Sequence, residues 1–195
     1  MPIVIWFLTL SAWAAPSFSS WAATLTPPEF PPDVADDYRF SAQFFDQLAE
    51  AVDDKPGAVH AENIGSTVRG TPIWAFHVSE PGVAITHRVL VFAGIHALEW
   101  ISTEVALALL EEAMERPPKG TQLTVIPLLN PDGRRKVELD LVQGKNAYRR
   151  GNLANVDLNR DFAHNTEVSP IWKSIIPGYY EHSETPLSQP ESQAL

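Results

Sequence analysis

The stretch Val89-Leu90-Val91-Phe92-Ala93-Gly94-Ile95-His96-Ala97-Leu98-Glu99-Trp100 decides how the chain is read. Val89 to Phe92 is an unbroken apolar run of strand length, and such runs read as parallel strands buried on both faces. Gly94 closes the run, His96 and Glu99 follow at once, and from Trp100 the pattern turns helical. In open α/β sheets ligands bind outside the carboxyl ends of strands, so these two polar residues stand where a site is expected. A neutral imidazole and a carboxylate are both zinc-ligand types. The His-x-x-Glu spacing alone says little, because the chain carries it three times: His77 with Glu80, His96 with Glu99, and His164 with Glu167. Glu80 runs into the turn Pro81-Gly82, and His164 stands in a polar loop. Only His96 has an apolar strand before it and a helix after it.

Working outward toward the carboxyl end, Val105, Leu107, Leu109 and Leu110 among alanines predict a largely buried helix. Glu111, Glu112 and Glu115 form its wet end, and Pro117-Pro118 with Gly120 stop it. Leu123 to Leu129 is a second apolar strand, ending in the turn signal Asn130-Pro131-Asp132-Gly133. Strand, helix, strand in this order predicts a right-handed parallel crossover. From Arg134 the chain becomes basic, through Arg135, Lys136, Lys145, Arg149, Arg150 and Arg160. The cluster reads either as a solvated basic loop or as a seat for an anionic ligand group. The stretch from Ser169 reads as a long surface loop, with a helix beginning at Pro190.

Toward the amino end, Phe40, Phe44, Phe45, Leu48 and Val52 mark one face of a helix that Pro56-Gly57 ends. Val59 to Ile64 and Ile73 to Val78 read as a hairpin around Gly65, Arg69 and Gly70. Thr26 to Pro32 is a proline-rich linker. Ile3 to Ala15 is apolar and of the length of a secretory signal core, with small-x-small sites at Ala12-Trp13-Ala14 and Ser20-Trp21-Ala22. Against export stands the n-region, where no Lys or Arg occurs before Arg39. The organisation expected is a leader over 1–23, a linker over 24–37 and one domain over 38–195, in a secreted or periplasmic protein. The fold expected is α/β: a mixed, largely parallel sheet with helices on both faces, incomplete at the carboxyl end.

The 195 residues carry a net charge of −10, which disfavours nucleic acid or an anionic membrane as partner. With no cysteine, disulfides and thiolate metal sites are excluded, and a zinc ion would have to be held by His, Asp or Glu. No Gly-x-Ser-x-Gly, Walker loop or His-Glu-x-x-His occurs.

Four segments occur in a telling order: Gly94 to Trp100, Asn130-Pro131-Asp132-Gly133, Val156-Asp157-Leu158-Asn159-Arg160-Asp161-Phe162, and Ser188-Gln189-Pro190-Glu191-Ser192-Gln193-Ala194-Leu195. Ile64-Gly65-Ser66 with Arg69-Gly70 fits beside them. Together they resemble the zinc carboxypeptidases of the carboxypeptidase A type, over roughly residues 38–195. The resemblance implies that His96 and Glu99 are the first two ligands of a Zn²⁺ ion. It implies that Arg149 polarises the scissile carbonyl and stabilises its oxyanion. Asn159 and Arg160 would clamp the free C-terminal carboxylate of a peptide substrate. An Arg fork does bind a carboxylate in two-pronged fashion, with an Asn amide as a further donor.

Departures from the family pattern are Leu98, where many members have an arginine, and Asp161, where an asparagine is usual. The family's third zinc ligand, its tyrosine and its general-base glutamate find no counterpart; His164 and His182 read as surface residues. The implied function is removal of C-terminal residues from peptides, in a chain that carries the front part of the family domain and is expected to be inactive alone. Two other readings remain open: a non-catalytic carboxylate-binding module, and a zinc amidohydrolase acting on acyl-amino acids or cell-wall peptides.

Overall fold

The computed structural model describes residues 16–26, 38–164, 170–175, 181 and 185–195. Helix α2, Ser41–Asp54, forms where the amphipathic pattern places it and buries Phe44, Phe45 and Leu48. The Gln43 side chain accepts from the Phe40 N–H, satisfying one of the donors a helix start leaves open. Strands β1 (Val59–Ser66) and β2 (Pro72–Val78) make the expected antiparallel hairpin. Strand β3 (His87–Phe92), helix α3 (Trp100–Glu115) and strand β4 (Thr121–Ile126) follow, and β3 pairs parallel with β4.

The sheet order is β1-β2-β4-β3, and β2 pairs antiparallel with β4. The expectation of a largely parallel sheet is therefore corrected: the sheet is mixed, with one parallel pair among its described strands and antiparallel pairing elsewhere. The cause is local. The short Thr67–Thr71 connection can only return the chain antiparallel, whereas parallel pairing needs a long crossover such as α3. The hairpin then docks β2, not β3, on the free side of β4.

A second correction follows from the same order. Among the described strands β3 stands at the edge and not in a buried centre, and Val89, Leu90 and Phe92 are 45%, 53% and 44% exposed. An apolar run shows that a strand wants cover on both faces, but not which strand receives it. β4 and β2 do: Leu123, Val125, Trp74, Phe76 and Val78 pack beneath α2 and α3 on one face. Ile73, Ala75 and Ile126 lie on the other face with Leu129 and Ala194, the residue just after helix α5 (Pro190–Gln193).

Helix α4, Pro131–Val142, occupies what reads in sequence as a turn and a basic loop. Asn130 is its N-cap, its side chain accepting from the Gly133 N–H at 3.0 Å, and Pro131 takes the first helical position, where its missing N–H costs nothing. The same four residues that spell a turn spell a helix start. Arg134 is thereby drawn inward. Its Nε donates to Glu138 at 2.9 Å, its guanidinium also donates to the Arg39 carbonyl at 2.8 Å, and it lies 3.5 Å over the Trp100 ring. Burial pulls its pKa down to about 10 against the opposing pull of Glu138, so it stays charged at neutral pH. Glu138 in turn accepts from Ser41 N and Oγ, tying α4 to the start of α2.

Helix α1, Phe18–Ala22, lies within the stretch expected as a leader, yet it packs into the main core. The Phe18 ring centroid is 4.9 Å from that of Phe76 and 5.1 Å from that of Trp74, both edge-on. The apolar 3–15 segment falls outside the described residues.

Candidate active site

The chain leaves β3 through Gly94, at φ 61°. A Cβ there would sit 2.6 Å from Leu128 Cδ1, 2.9 Å from Thr103 Oγ1 and 3.1 Å from Leu128 Cα, so only glycine fits the exit. Ala93 N donates to the Ile126 carbonyl, and Leu129 N and Asn130 N donate back to Ala93 and Gly94. These bonds lock the segment after β3 against the segment after β4 and hold His96, 6% exposed, at the carboxyl end of the sheet.

Four ionisable side chains close a ring there. His96 Nδ1 lies 2.9 Å from Glu99 Oε2, and His96 Nε2 lies 3.0 Å from Asp157 Oδ1. Arg150 Nε donates to Asp157 Oδ2 at 2.8 Å, and Arg150 NH1 donates to Glu99 Oε1 at 2.6 Å. Asp157 is wholly buried. Burial pushes its pKa up, but the hydrogen bonds from His96 and Arg150 and the Arg150 charge outweigh that, and its carboxyl is held below the usual 3.8. An ionised Asp157 can only accept, so Nε2 of His96 carries the hydrogen. In the neutral ring the Nδ1 lone pair then faces the Glu99 carboxylate, acceptor against acceptor at 2.9 Å. That pair is stable only with a proton or a cation between the two atoms. A carboxylate fixing the far nitrogen of a histidine is also the usual support of a metal-binding imidazole. The donor set thus suits zinc, as two ligands of a site. Among the described residues no cluster of three or more His, Cys, Asp and Glu could hold a metal.

The arginine that reaches this ring is Arg150. Arg149, the residue expected at the oxyanion, donates instead to the Asn152 carbonyl at 3.0 Å. The backbone turns tightly just before the pair, Arg149 N donating to the Ala147 carbonyl at 2.9 Å, and nothing in the sequence tells which of the two adjacent arginines faces inward. Asn159 and Arg160 sit in a 3₁₀ turn, Leu158–Arg160, half-buried. The Asn159 N–H donates to the same Asp157 oxygen that His96 approaches, so one buried carboxylate positions both the ring and this turn. The Arg160 guanidinium donates to the Asn159 carbonyl at 3.1 Å.

Asp161 explains its departure from the family pattern. It is buried, and its two oxygens accept from Ser188 N, Ser188 Oγ and Gln189 N, three donors that call for an acceptor-only side chain. Asn152 completes the link, with Nδ2 reaching Gln189 Oε1 and Glu191 Oε2 and Oδ1 accepting from Val156 N. Glu191 is buried, and burial raises its pKa. Asp157, Arg150, Asn152 and Glu191 were not expected at the site. Only Asp157 had a signal, its place two residues before Asn159. Of the other histidines weighed as ligands, His77 bonds Thr124 and Glu62 on the sheet, His164 is exposed, and His182 is outside the described residues.

Comparison with known proteins bears on the family and the fold. The zinc carboxypeptidase family model matches residues 43–195. An uncharacterised Bacillus subtilis protein, YqgT, is 30% identical over 167 residues, covering 70% of this chain and 44% of its own length. Human carboxypeptidase D is 28% identical over 145 residues, 68% of this chain and 10% of that protein. Among solved structures, carboxypeptidase A from Helicoverpa armigera superposes with a TM-score of 0.64 at 21% identity, over 82% of this chain and 41% of that one. Bovine thrombin-activatable fibrinolysis inhibitor, in complex with a tick carboxypeptidase inhibitor, gives 0.61 at 24% identity, over 81% and 54%. The chain thus spans about half or less of the relatives it matches. With the family model covering most of its length, the chain belongs to the zinc carboxypeptidase family.

Proposed function

We propose that this chain supplies the first zinc ligands and the carboxylate clamp of a metallocarboxypeptidase that removes C-terminal residues from peptides. The observation that carries the reading is the closed ring of His96, Asp157, Arg150 and Glu99. His96 Nδ1 and Glu99 would hold the ion, and Asp157 keeps the hydrogen on Nε2 so that Nδ1 offers its lone pair. Zinc, when bound, acidifies a water and polarises the scissile carbonyl. Arg150, anchored by Asp157, is the donor that meets the developing oxyanion, in place of Arg149. Asn159 and Arg160 take the terminal carboxylate. A catalytic zinc normally has three protein ligands. The described residues offer two, and a chain without a third ligand is expected to turn over no peptide.

No described helix is long and apolar enough to cross a membrane. Export to the periplasm or medium is part of the proposal, supported by the apolar 3–15 segment, and the net charge of −10 argues against a nucleic-acid partner.

Zinc titration against a chromophoric competitor tests the site. One ion per chain should bind, and His96→Ala or Glu99→Ala should abolish it. Asp157→Asn should weaken it by about 10–100-fold. Zinc binding that survives His96→Ala refutes the assignment.

A further inference from the structure

A cavity of about 570 Å³ lies where α1 and the chain leaving it, the turn of the β1–β2 hairpin and the start of α4 come together. No residue of the His96 ring or of the Asn159–Arg160 turn lines it. Part of its wall is apolar: Trp21, Leu25, Phe45 and Pro72. The Trp21 ring is fixed there, edge-on to Phe45 with centroids 4.9 Å apart. The ionisable groups of the lining are Arg69, Asp132 and Arg135, two cations against one anion.

Asp132 holds the frame together and leaves the two arginines over. Its oxygens accept from the Thr67 hydroxyl at 2.5 Å and from the Thr71 hydroxyl at 2.7 Å. Thr67 Oγ1 in turn accepts from the N–H groups of Arg69 and Thr71, at 3.2 and 3.1 Å. The hairpin turn that carries Arg69 is thus pinned to the helix start that carries Arg135. The hydroxyls of the lining are committed as well: Ser41 donates to Glu138 and Thr24 to the Trp21 carbonyl. Asn63 Oδ1 accepts from Gly65 N, which leaves the Asn63 amide hydrogens as donors. Arg69 and Arg135 are exposed, and among the described residues neither guanidinium has an acid or a hydrogen-bond partner. The helix start itself adds no donor through Gly133, whose N–H is capped by Asn130. The polar side of the cavity therefore offers donors and positive charge, in a chain of net charge −10.

We propose that this cavity binds a small organic anion, with its carboxylate or phosphate group on Arg69 and Arg135 and an aromatic or branched apolar body against Trp21, Leu25 and Phe45. Guanidinium forks match the planar oxygens of either head group. Each half of the cavity needs the other. An apolar body without charge leaves the arginines solvated and unused, and a bare anion leaves the indole and phenyl walls wet. Pockets of about 300–1,000 Å³ are the size that takes one small ligand. The site stands apart from the reaction centre, so the proposal does not depend on the carboxypeptidase reading.

The test is a calorimetric titration of the 195-residue chain at low ionic strength, with chelator present, using four probes: 3-phenylpropionate, phenyl phosphate, 3-phenylpropionamide and acetate. The two aromatic anions should bind, and the neutral amide and acetate should bind at least about tenfold more weakly, the scale of a lost charged hydrogen bond or of a lost apolar body. Whichever aromatic anion binds more tightly names the head group. Arg69→Gln and Arg135→Gln, at exposed positions where the fold should persist, should each weaken the aromatic anions about tenfold, with an unchanged melting temperature as the control. Arg160→Gln should leave their binding intact. Equal affinity for 3-phenylpropionate and its amide overturns the proposal, as does full affinity in both the Arg69 and Arg135 variants. If binding is lost in Arg160→Gln instead, the anion sits on the carboxylate clamp and the cavity assignment falls. If neither aromatic anion binds, it falls too.

Discussion

Phe18 offers a sharp test of where the folded domain begins. Its ring is 4% exposed and meets four aromatic neighbours: Phe76 at 4.9 Å, Trp74 at 5.1 Å, and Trp21 and Phe45 at 6.1 Å. A buried Phe→Ala change costs about 3–5 kcal/mol, of which each edge-on aromatic pair can supply ~0.5–1.5 beyond area burial. Phe18 belongs to a five-residue helix. That helix can peel away and cap the loss, so the low end, about 3 kcal/mol, is the expected value. For a chain of this size that corresponds to a fall of roughly 6–12 °C in Tm.

The assay is urea unfolding of protein beginning at Pro16, followed by tryptophan fluorescence and far-UV circular dichroism, for wild type and Phe18→Ala. A loss under about 1 kcal/mol, the size of an ordinary surface change, would refute the reasoning. So would equal stability of chains beginning at Pro16 and at Thr24. The outcome bears on export. Cleavage at Ala12-Trp13-Ala14 leaves α1 in place, whereas cleavage at Ser20-Trp21-Ala22 removes Phe18 and Trp21 from the core. N-terminal sequencing of exported protein should therefore find Ala15, not Ala23.

Arg134→Met should destabilise the chain by about 3–5 kcal/mol, because it strands Glu138 in the interior. Adding Glu138→Gln should recover part of that loss in a double-mutant cycle, and no recovery would count against the pair. Asp157 and Glu191 should respond to pH in opposite senses. The depressed pKa of Asp157 gives stability that is complete above its usual 3.8 and lost as pH falls through the lower folded value. Asp157→Asn should flatten the acid limb of a pH–stability profile. The raised pKa of Glu191 gives stability that is complete below its usual 4.5 and lost as pH rises through the folded value. Glu191→Gln should remove that fall, and an unchanged profile would show that Glu191 does not titrate with folding.

Sequence periodicity located α2, the β1–β2 hairpin, α3 and both apolar strands, because each depends on which residues repeat at short spacing. It could not order the strands. Where β2 docks depends on how the whole hairpin packs, and Val89 to Phe92 carries the same apolar signal at an edge as at a centre. α4 was misread for a different reason, since Asn-Pro-Asp-Gly satisfies a turn and a helix N-terminus equally well. At the carboxyl end of β3, the meeting of His96 and Glu99 could be anticipated from their spacing and context, while the approach of Arg150 could not, because Asp157 and Glu99 draw it in from distant parts of the chain. Asp161 looked like a defect in the pattern and turns out to be the acceptor that Ser188 and Gln189 require.

The edge position of β3 also governs how copies of this chain behave toward each other. One side of β3 has no neighbouring strand among those described, and apolar side chains flank it on both faces. Such an edge is a template on which another strand can add. The net charge of −10 should oppose that addition by long-range repulsion between copies. Salt removes it: the screening length falls to about 8 Å at 0.15 M and ~3 Å at 1 M, while apolar attraction persists. Light scattering from the purified chain should therefore rise with ionic strength. Its initial rate should scale with the square of protein concentration, as expected when growth starts from the meeting of two bare edges.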